Sequence, residues 1–355
     1  MKALITSGGK GTRLRPITHT QNKHLIPIAN KPILHYAIDA VAEAGIKEIG
    51  ILVNADSDEV PKAIGNGENW GVNITYIPQE APLGLAHVVK VSQDFIKNDS
   101  FIFYLGDNMV VGGVKRFIDK FQSDHSNCHL TLARVKDPSH FGVPELKGSR
   151  IVSIEEKPKH PKSEFAVAGI YLYDTSIFEA VNAIKPSARG ELEISDAHQY
   201  LLEKGKKITY SEITGWWKDT GKPFDLLEAN RLILENLPPS LEYTEVDPTS
   251  NLAGKVLLEK GAKIINSNVR GPVIIGKNSE IRDSYIGPYT AIYHDTLIQN
   301  SEVEFSIIMD HCKITDVGIR IESSIFGSEV EIVRASDKPK THRFILGAQS
   351  RLEVV

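Results

Sequence analysis

The sequence predicts an α/β domain built on a mostly parallel sheet, followed by a parallel β-helix of short stacked coils. Three observations carry this expectation. Over the first two thirds of the chain strand and helix signals alternate, the pattern of a parallel sheet covered by helices on both faces. After Leu237-Pro-Pro-Ser240 helical periodicity disappears, and aliphatic residues recur every five or six positions at Ile275, Ile281, Ile286, Ile292, Ile298, Val303, Ile308 and Ile314, then at Ile325 and Val330. Finally, at 355 residues the chain exceeds what one hydrophobic core holds, so two domains are the default.

Each element has its own signal. Ala3 to Ile5 reads as a short buried strand. Pro32 opens a helix whose apolar residues Ile33, Leu34, Ala37, Ile38 and Val41 recur at helical spacing, and Gly45 closes it. Further strands are expected at Ile49 to Val53, Ile74 to Ile77, Phe101 to Leu105, Leu130 to Val135, Ile151 to Ile154, Val167 to Tyr173 and Ile208 to Ile213. Helical stretches lie around Val88 to Ile96, Glu193 to Glu203 and Phe224 to Glu235. A sheet of this kind binds ligands beyond the carboxyl ends of its strands. In the last third, Gly, Asn, Asp and Ser fill the gaps between aliphatics, and Ile275-Gly276, Ile286-Gly287 and Phe326-Gly327 repeat one phrase. One inward aliphatic in about every six residues marks a parallel β-helix, whose coils stack because each buries only part of its apolar face. The mixture of fives and sixes leaves a β-sandwich of short strands as the rival.

Composition excludes several classes of partner. With 41 basic and 45 acidic residues the formal charge is −4, so the chain as a whole attracts neither nucleic acid nor an anionic membrane. Any polyanion site must be local. The two cysteines, Cys128 and Cys312, are far apart and in no metal-ligand spacing, which points to a reducing compartment. The N-terminus runs straight into a strand and no apolar stretch approaches the length of a membrane span. A soluble, cytoplasmic protein is expected.

The most informative segment runs from Ser7 to Lys23, directly after the first strand. A strand that empties into Gly8, Gly9 and Gly11 exposes a row of backbone N–H groups that can approach an anion without a Cβ in the way. Arg13, Arg15 and Lys23 add positive charge just beyond. The two common phosphate loops do not fit, because Lys10 is followed by Gly11 and position 14 is leucine. Downstream, Leu105-Gly-Asp-Asn108 places Asp107 at the carboxyl end of a central strand, where it can hold a divalent cation or merely cap a turn. A second carboxylate stands in Trp217-Lys-Asp-Thr-Gly221, and acidic and basic neighbours follow a strand in Ile154-Glu-Glu-Lys-Pro158. The amide of Gln79, in Tyr76-Ile-Pro-Gln79, can donate and accept together.

The run Gly8-Gly-Lys-Gly-Thr-Arg-Leu-Arg-Pro16, with Lys23-His-Leu-Ile-Pro27 and Asn30-Lys-Pro32, closely resembles the signature of the sugar-1-phosphate nucleotidylyltransferases, most of all the long-type glucose-1-phosphate thymidylyltransferases. The resemblance implies a Rossmann-like catalytic domain at residues 1–236, a linker at 237–250, and a left-handed β-helix with a C-terminal tail at 251–355. It implies that Asp107 and Asp219 bind a catalytic magnesium ion, which suits two carboxylates completed by phosphate oxygens and water. It assigns the triphosphate to Gly8, Gly9, Gly11, Thr12, Arg13 and Lys23, and the base to Gln79 with the Gly84 backbone. Glu156 is implied to contact sugar hydroxyls and Lys157 the sugar's phosphate, while Asn108, Gly142 and Val167 line the sugar pocket. One residue departs from the family pattern: His24 stands where glutamine is common.

The implied reaction joins dTTP and glucose 1-phosphate to give dTDP-glucose and pyrophosphate. Two anions must meet, so catalysis consists of positioning and charge neutralisation, with Arg13, Lys23, Asp107, Lys157 and Asp219 as the catalytic set. UTP is the nearest alternative substrate, since its base differs chiefly by one methyl group. A non-catalytic regulatory or assembly subunit is the second alternative, and retention of the whole charged set argues for the enzyme. Stacked coils leave edges that meet copies of themselves, so a homo-oligomer is expected.

Overall fold

The computed structural model describes residues 1–238, 245–335 and 342–354; residues 239–244 of the expected linker lie outside the described part. The chain divides into two compact units, one of residues 1–10 and 34–219, the other of residues 11–33 and 220–355.

The first unit is built on a seven-stranded sheet. From one edge to the other its strands are Ile208–Glu212, Cys128–Arg134, Phe165–Tyr173, Phe101–Leu105, Lys2–Thr6, Glu48–Asn54 and Asn73–Gln79. All neighbours pair in parallel except Phe165–Tyr173, which is antiparallel to both of its partners. The sheet is therefore mostly parallel, as expected, with one reversed strand in its interior. Leu4, Leu52, Phe101, Phe103, Leu130, Tyr173 and Leu201 belong to one buried cluster beneath the covering helices. The first helix begins at Ile33 rather than Pro32, because Lys31–Pro32 pairs with Pro27–Ile28 as a short hairpin. The helix expected over Val88 to Ile96 is interrupted at Ser92, whose hydroxyl donates back to the Val88 carbonyl at 2.8 Å, leaving Leu85–Val91 and Gln93–Ile96. Such back-bonding competes with the helical ladder and bends it.

Two fully buried histidines sit in this unit. His129 is bonded to Thr209 and Ser211, and the Tyr173 hydroxyl lies 2.6 Å from His198 Nε2. Burial pushes them down to about 4 and about 3 from the usual 6.5, so both are neutral in the folded protein. The unfolded chain binds these protons as pH falls through about 6.5 and the native state does not. Stability contributed above that pH is therefore lost on acidification, by up to about 1.4 kcal/mol per pH unit for each histidine. Urea unfolding at pH 7, 6 and 5 is expected to show this decline, shallower in His198→Phe; equal stability at all three values would contradict it.

The second unit carries the repeats. Three parallel sheets of six, five and five strands run through it, each strand pairing with the one a full coil ahead. This is the arrangement of a left-handed parallel β-helix, and the uniformly parallel ladders exclude a sandwich. Ile264, Ile281, Ile298 and Ile314 stand in register on one face and are completely buried, as are Val269, Ile286 and Val303 on the next. Aliphatics five and six apart arise because three faces must share a coil of 16 to 18 residues. A second ladder runs beside the aliphatic one. Ser267 N–H donates to Ser250 Oγ at 3.1 Å, Ser284 N–H to Ser267 Oγ at 3.1 Å, and Ser301 N–H to Ser284 Oγ at 3.2 Å. Each hydroxyl thereby satisfies a buried backbone donor of the next coil.

The helix Pro223–Leu234 and the hairpin at 27–32 share this unit with the coils. Asn230, fully buried, accepts from the Ala29 N–H and donates to the Tyr289 carbonyl, both at 2.9 Å, and Asn30 Nδ2 donates to the Ile292 carbonyl at 2.8 Å.

Candidate active site

The carboxyl ends of the central parallel strands carry the polar groups of the first unit. At the end of Lys2–Thr6 the chain turns through Ser7, whose N–H and hydroxyl both reach the Leu52 carbonyl, at 2.9 and 2.7 Å. Gly9 N–H then donates to Asn54 Oδ1 at 3.3 Å. Asn54 and Gln79 are the last residues of two adjacent strands and stand in register. A side chain at Gly8 would lie 3.3 Å from Asn54 Oδ1 and 3.6 Å from Gln79 Oε1, so the glycine turn and the Gln79 amide are neighbours. Gly84, close by in sequence, opens the helix Leu85–Val91, and its loop is stitched to Leu192 through Ala86 N–H and Leu83 carbonyl bonds of 3.0 and 2.8 Å.

Phe101–Leu105 ends at Gly106, whose N–H reaches Thr6 of the neighbouring strand, and Asp107 follows. Asn108, almost fully buried, organises the surroundings. Its Nδ2 donates to Asp107 Oδ1 at 2.9 Å, and its Oδ1 accepts from Trp217 Nε1 at 2.7 Å and from Gly169 N–H at 3.3 Å. The strand Trp217–Asp219 lies antiparallel on Asn108–Val110, with Asp219 directly opposite Asn108. Thus Asp107 and Asp219, more than a hundred positions apart in sequence, are brought together by one residue pair. Gly169 is required here: a Cβ would stand 2.8 Å from the Asn108 amide carbon and from Leu105. The field of the site shows in Tyr171, where burial first, then Glu156, Asp107 and Asp219, push the hydroxyl well above its usual range.

A second polar group lies on the hairpin Gly142–Lys147 and Arg150–Glu156, where Glu156 faces Gly142. Ser195 Oγ donates to Glu156 Oε2 at 2.7 Å, and Lys157 Nζ lies 3.6 Å from Glu156 Oε1. Lys157 has a left-handed backbone, φ 46°, and its N–H is anchored on the Phe141 carbonyl at 2.9 Å. A non-glycine residue held there stores backbone strain, and such positions cluster at functional sites. Phe141 contacts Trp217 edge-on at 5.6 Å, joining this hairpin to the strand that carries Asp219. Val167 is buried in the strand Phe165–Tyr173, two residues before Gly169.

The remaining expected residues belong to the second unit. Gly11 has φ 55° and precedes a short turn, Thr12–Leu14, in which Thr12 and Arg13 are exposed; a Cβ on Gly11 would meet Thr18 at 2.9 Å and Lys23 at 3.2 Å. His24 is buried, with its N–H and Nδ1 both on Asn22 Oδ1, at 2.9 and 3.0 Å, so its ring is engaged locally. Asn54, His87, Ser195 and the indole of Trp217 are polar groups of the site that sequence reasoning did not single out. Of these only Asn54 carried a signal, as the first polar residue after an apolar strand.

The first unit thus carries a glycine turn at the mouth of a parallel sheet, two carboxylates on neighbouring chain segments and a lysine with a left-handed backbone. The sequence model of the nucleotidyl transferase family matches residues 2–236, and the chain belongs to that family. It is 48% identical to a glucose-1-phosphate thymidylyltransferase of Streptomyces griseus over 355 residues, covering 100% of this chain and 99% of that one. It is 39% identical to the low-salt glycan biosynthesis nucleotidyltransferase Agl11 of Haloferax volcanii, with both chains covered fully. Among solved structures, a protein of Bacillus anthracis assigned as a glucose-1-phosphate thymidylyltransferase and crystallised with sucrose matches with a TM-score of 0.63 and 38% identity, over 68% of this chain and 98% of that one. Among the described residues no helix is long and apolar enough to cross a membrane.

Proposed function

We propose that the enzyme transfers the thymidylyl group of dTTP to glucose 1-phosphate. The observation that carries this reading is the pairing of Asp219 with Asn108, which sets two carboxylates beside an amide on the same unit as the Glu156–Lys157 pair. An oxygen of the sugar phosphate attacks the α-phosphorus in line; the new P–O bond forms as the bond to the β-phosphate breaks, and pyrophosphate leaves with the electron pair. Lys157 holds the phosphate of the nucleophile, and Glu156, oriented by Ser195, accepts from sugar hydroxyls. Asn108, the Gly142 backbone and Val167 line the sugar side. Gln79 and the Gly84 backbone read the base, while Gly8, Gly9, Gly11, Thr12, Arg13 and Lys23 neutralise the triphosphate.

The two carboxylates fit a divalent cation. Among the described residues no cluster of three or more His, Cys, Asp or Glu side chains stands ready to hold a metal alone. Asp107 and Asp219 thus offer a partial, all-oxygen set, which suits magnesium completed by phosphate oxygens and water. When bound, the ion supplies positive charge to the phosphate oxygens during transfer.

UTP is the second reading, because Gln79 addresses only the edge that thymine and uracil share. Pyrophosphate release measured across dTTP, UTP, ATP, CTP and GTP with glucose 1-phosphate tests both. Release with dTTP well above the purine nucleotides and CTP is expected; a purine preference would overturn the assignment. The same reading places the enzyme in the cytoplasm as a homo-oligomer, and light scattering that returned a monomer would refute the latter.

A further inference from the structure

We propose that Trp217 is a positioning residue: its indole N–H fixes the Asn108 amide, and that amide in turn sets how the Asp107 carboxylate is presented to a divalent cation. The proposal rests on the reading of Asp107 as a cation ligand. An amide side chain is nearly symmetric in shape and opposite in chemistry at its two ends, so its neighbours decide which way round it sits. Around Asn108 they leave one answer.

Asn108 is almost fully buried, and its Oδ1 lies 2.7 Å from Trp217 Nε1 and 3.3 Å from the Gly169 N–H. Both of these groups donate and neither can accept. At the other end Nδ2 lies 2.9 Å from Asp107 Oδ1, and an ionised carboxylate only accepts. Turning the amide over would set its NH2 group against two donors and its oxygen against a carboxylate, breaking three hydrogen bonds at a buried position. The indole makes the shortest of the three. Its strand pairs Trp217 with Val110 and Asp219 with Asn108, so one short ladder carries the indole and the second carboxylate two residues apart, on the same face. That ladder supplies Asp219 directly and trims Asp107 through the amide. The ring is braced in turn, because Phe141 packs edge-on against it at 5.6 Å and the Phe141 carbonyl anchors the Lys157 N–H at 2.9 Å. A ring kept only for its bulk would need no polar atom. Here the one polar atom of the indole is committed to the amide beside Asp107.

The test uses the full-length enzyme with Trp217→Phe, and with the indole at position 217 replaced by benzothiophene, a ring of nearly the same shape in which sulfur stands for the N–H. Mn2+ binding is followed by electron paramagnetic resonance on enzyme saturated with dTDP-glucose, with no pyrophosphate present and hence no turnover; kcat and KM are measured alongside. Loss of a hydrogen-bond partner behind a metal ligand typically lowers metal affinity or activity by about ten- to a hundredfold, and Trp217 acts one bond further out. Both replacements are therefore expected to weaken Mn2+ binding by about tenfold and to lower kcat by about tenfold, with KM for dTTP within about twofold of wild type. Combined with Asp107→Asn, either replacement should change Mn2+ affinity by less than about twofold further, since the relay has lost its end. Mn2+ affinity untouched by both replacements but weakened by Asp107→Asn overturns the role of Trp217 and leaves the cation reading standing. Mn2+ affinity untouched by Asp107→Asn overturns both. Fully additive losses in the double variants show that the indole acts by a route other than Asp107, and overturn the relay. Should the phenylalanine variant not fold, the benzothiophene enzyme, which keeps the packing of the ring, decides the matter.

Discussion

Asp107→Asn or Asp219→Asn is expected to lower turnover by roughly two to three orders of magnitude, the scale of losing one preorganised charge-stabilising group. Each substitution keeps the shape of the side chain. An asparagine at 107 keeps the oxygen that accepts from Asn108 Nδ2, and one at 219 keeps the backbone pairing opposite Asn108. The melting temperature should therefore move little. In the proposed role what disappears is one of two negative charges offered to the cation, so the magnesium concentration for half-maximal rate should also rise. Near-wild-type turnover in both variants at saturating magnesium would show that the carboxylates are not partners in catalysis.

A second large effect separates the two substrates. Lys157→Ala is expected to weaken glucose 1-phosphate by about ten- to a hundredfold while leaving dTTP affinity near wild type, from the loss of a hydrogen bond to a charged group worth about 1.5–3 kcal/mol. Arg13→Ala should do the reverse. Alanine at 157 meets the same backbone requirement as lysine, since neither is glycine and the φ of 46° is imposed by the neighbouring anchor on Phe141. The loss is then a loss of charge. Calorimetric titration of each ligand into each variant separates the roles, and equal losses for both ligands in both variants would contradict the division.

How far the chain could be read from its letters depended on the distance over which each feature is determined. The coil period was legible because every turn of the β-helix repeats one local requirement, an inward aliphatic, from Ile264 to Ile314. The strands at 48–54 and 101–105 were legible as apolar runs. Direction was not: Phe165–Tyr173 is buried on both faces, and such a strand is apolar whichever way it runs. Nor did any local pattern announce that residues 11–33 share a unit with the coils, since the bonds of Ala29 and Asn30 reach Asn230 and Ile292, 201 and 262 positions away. Within the site, the glycine turn, the Asp107 and Asp219 motifs and Glu156–Lys157 stood out as clustered residues. His87 and Ser195 did not, because each is a single polar residue whose partner comes from another element.

The serine ladder of the β-helix has a consequence for how this chain can change in length. Because each hydroxyl of Ser267 and Ser284 meets the backbone of the coil 17 residues on, while the spacing is 16 at Ser301 and 18 at Ser306, a coil absorbs a change of one residue at its turns, whereas an insertion or deletion within its strands turns the inward aliphatic off its face and strands a buried amide. A whole coil can be duplicated or excised without either penalty, since each coil touches only its neighbours. The tail end of the molecule is thus a ruler graduated in steps of about 4.7–4.9 Å, one strand spacing per coil, and its reach is tunable only in whole graduations.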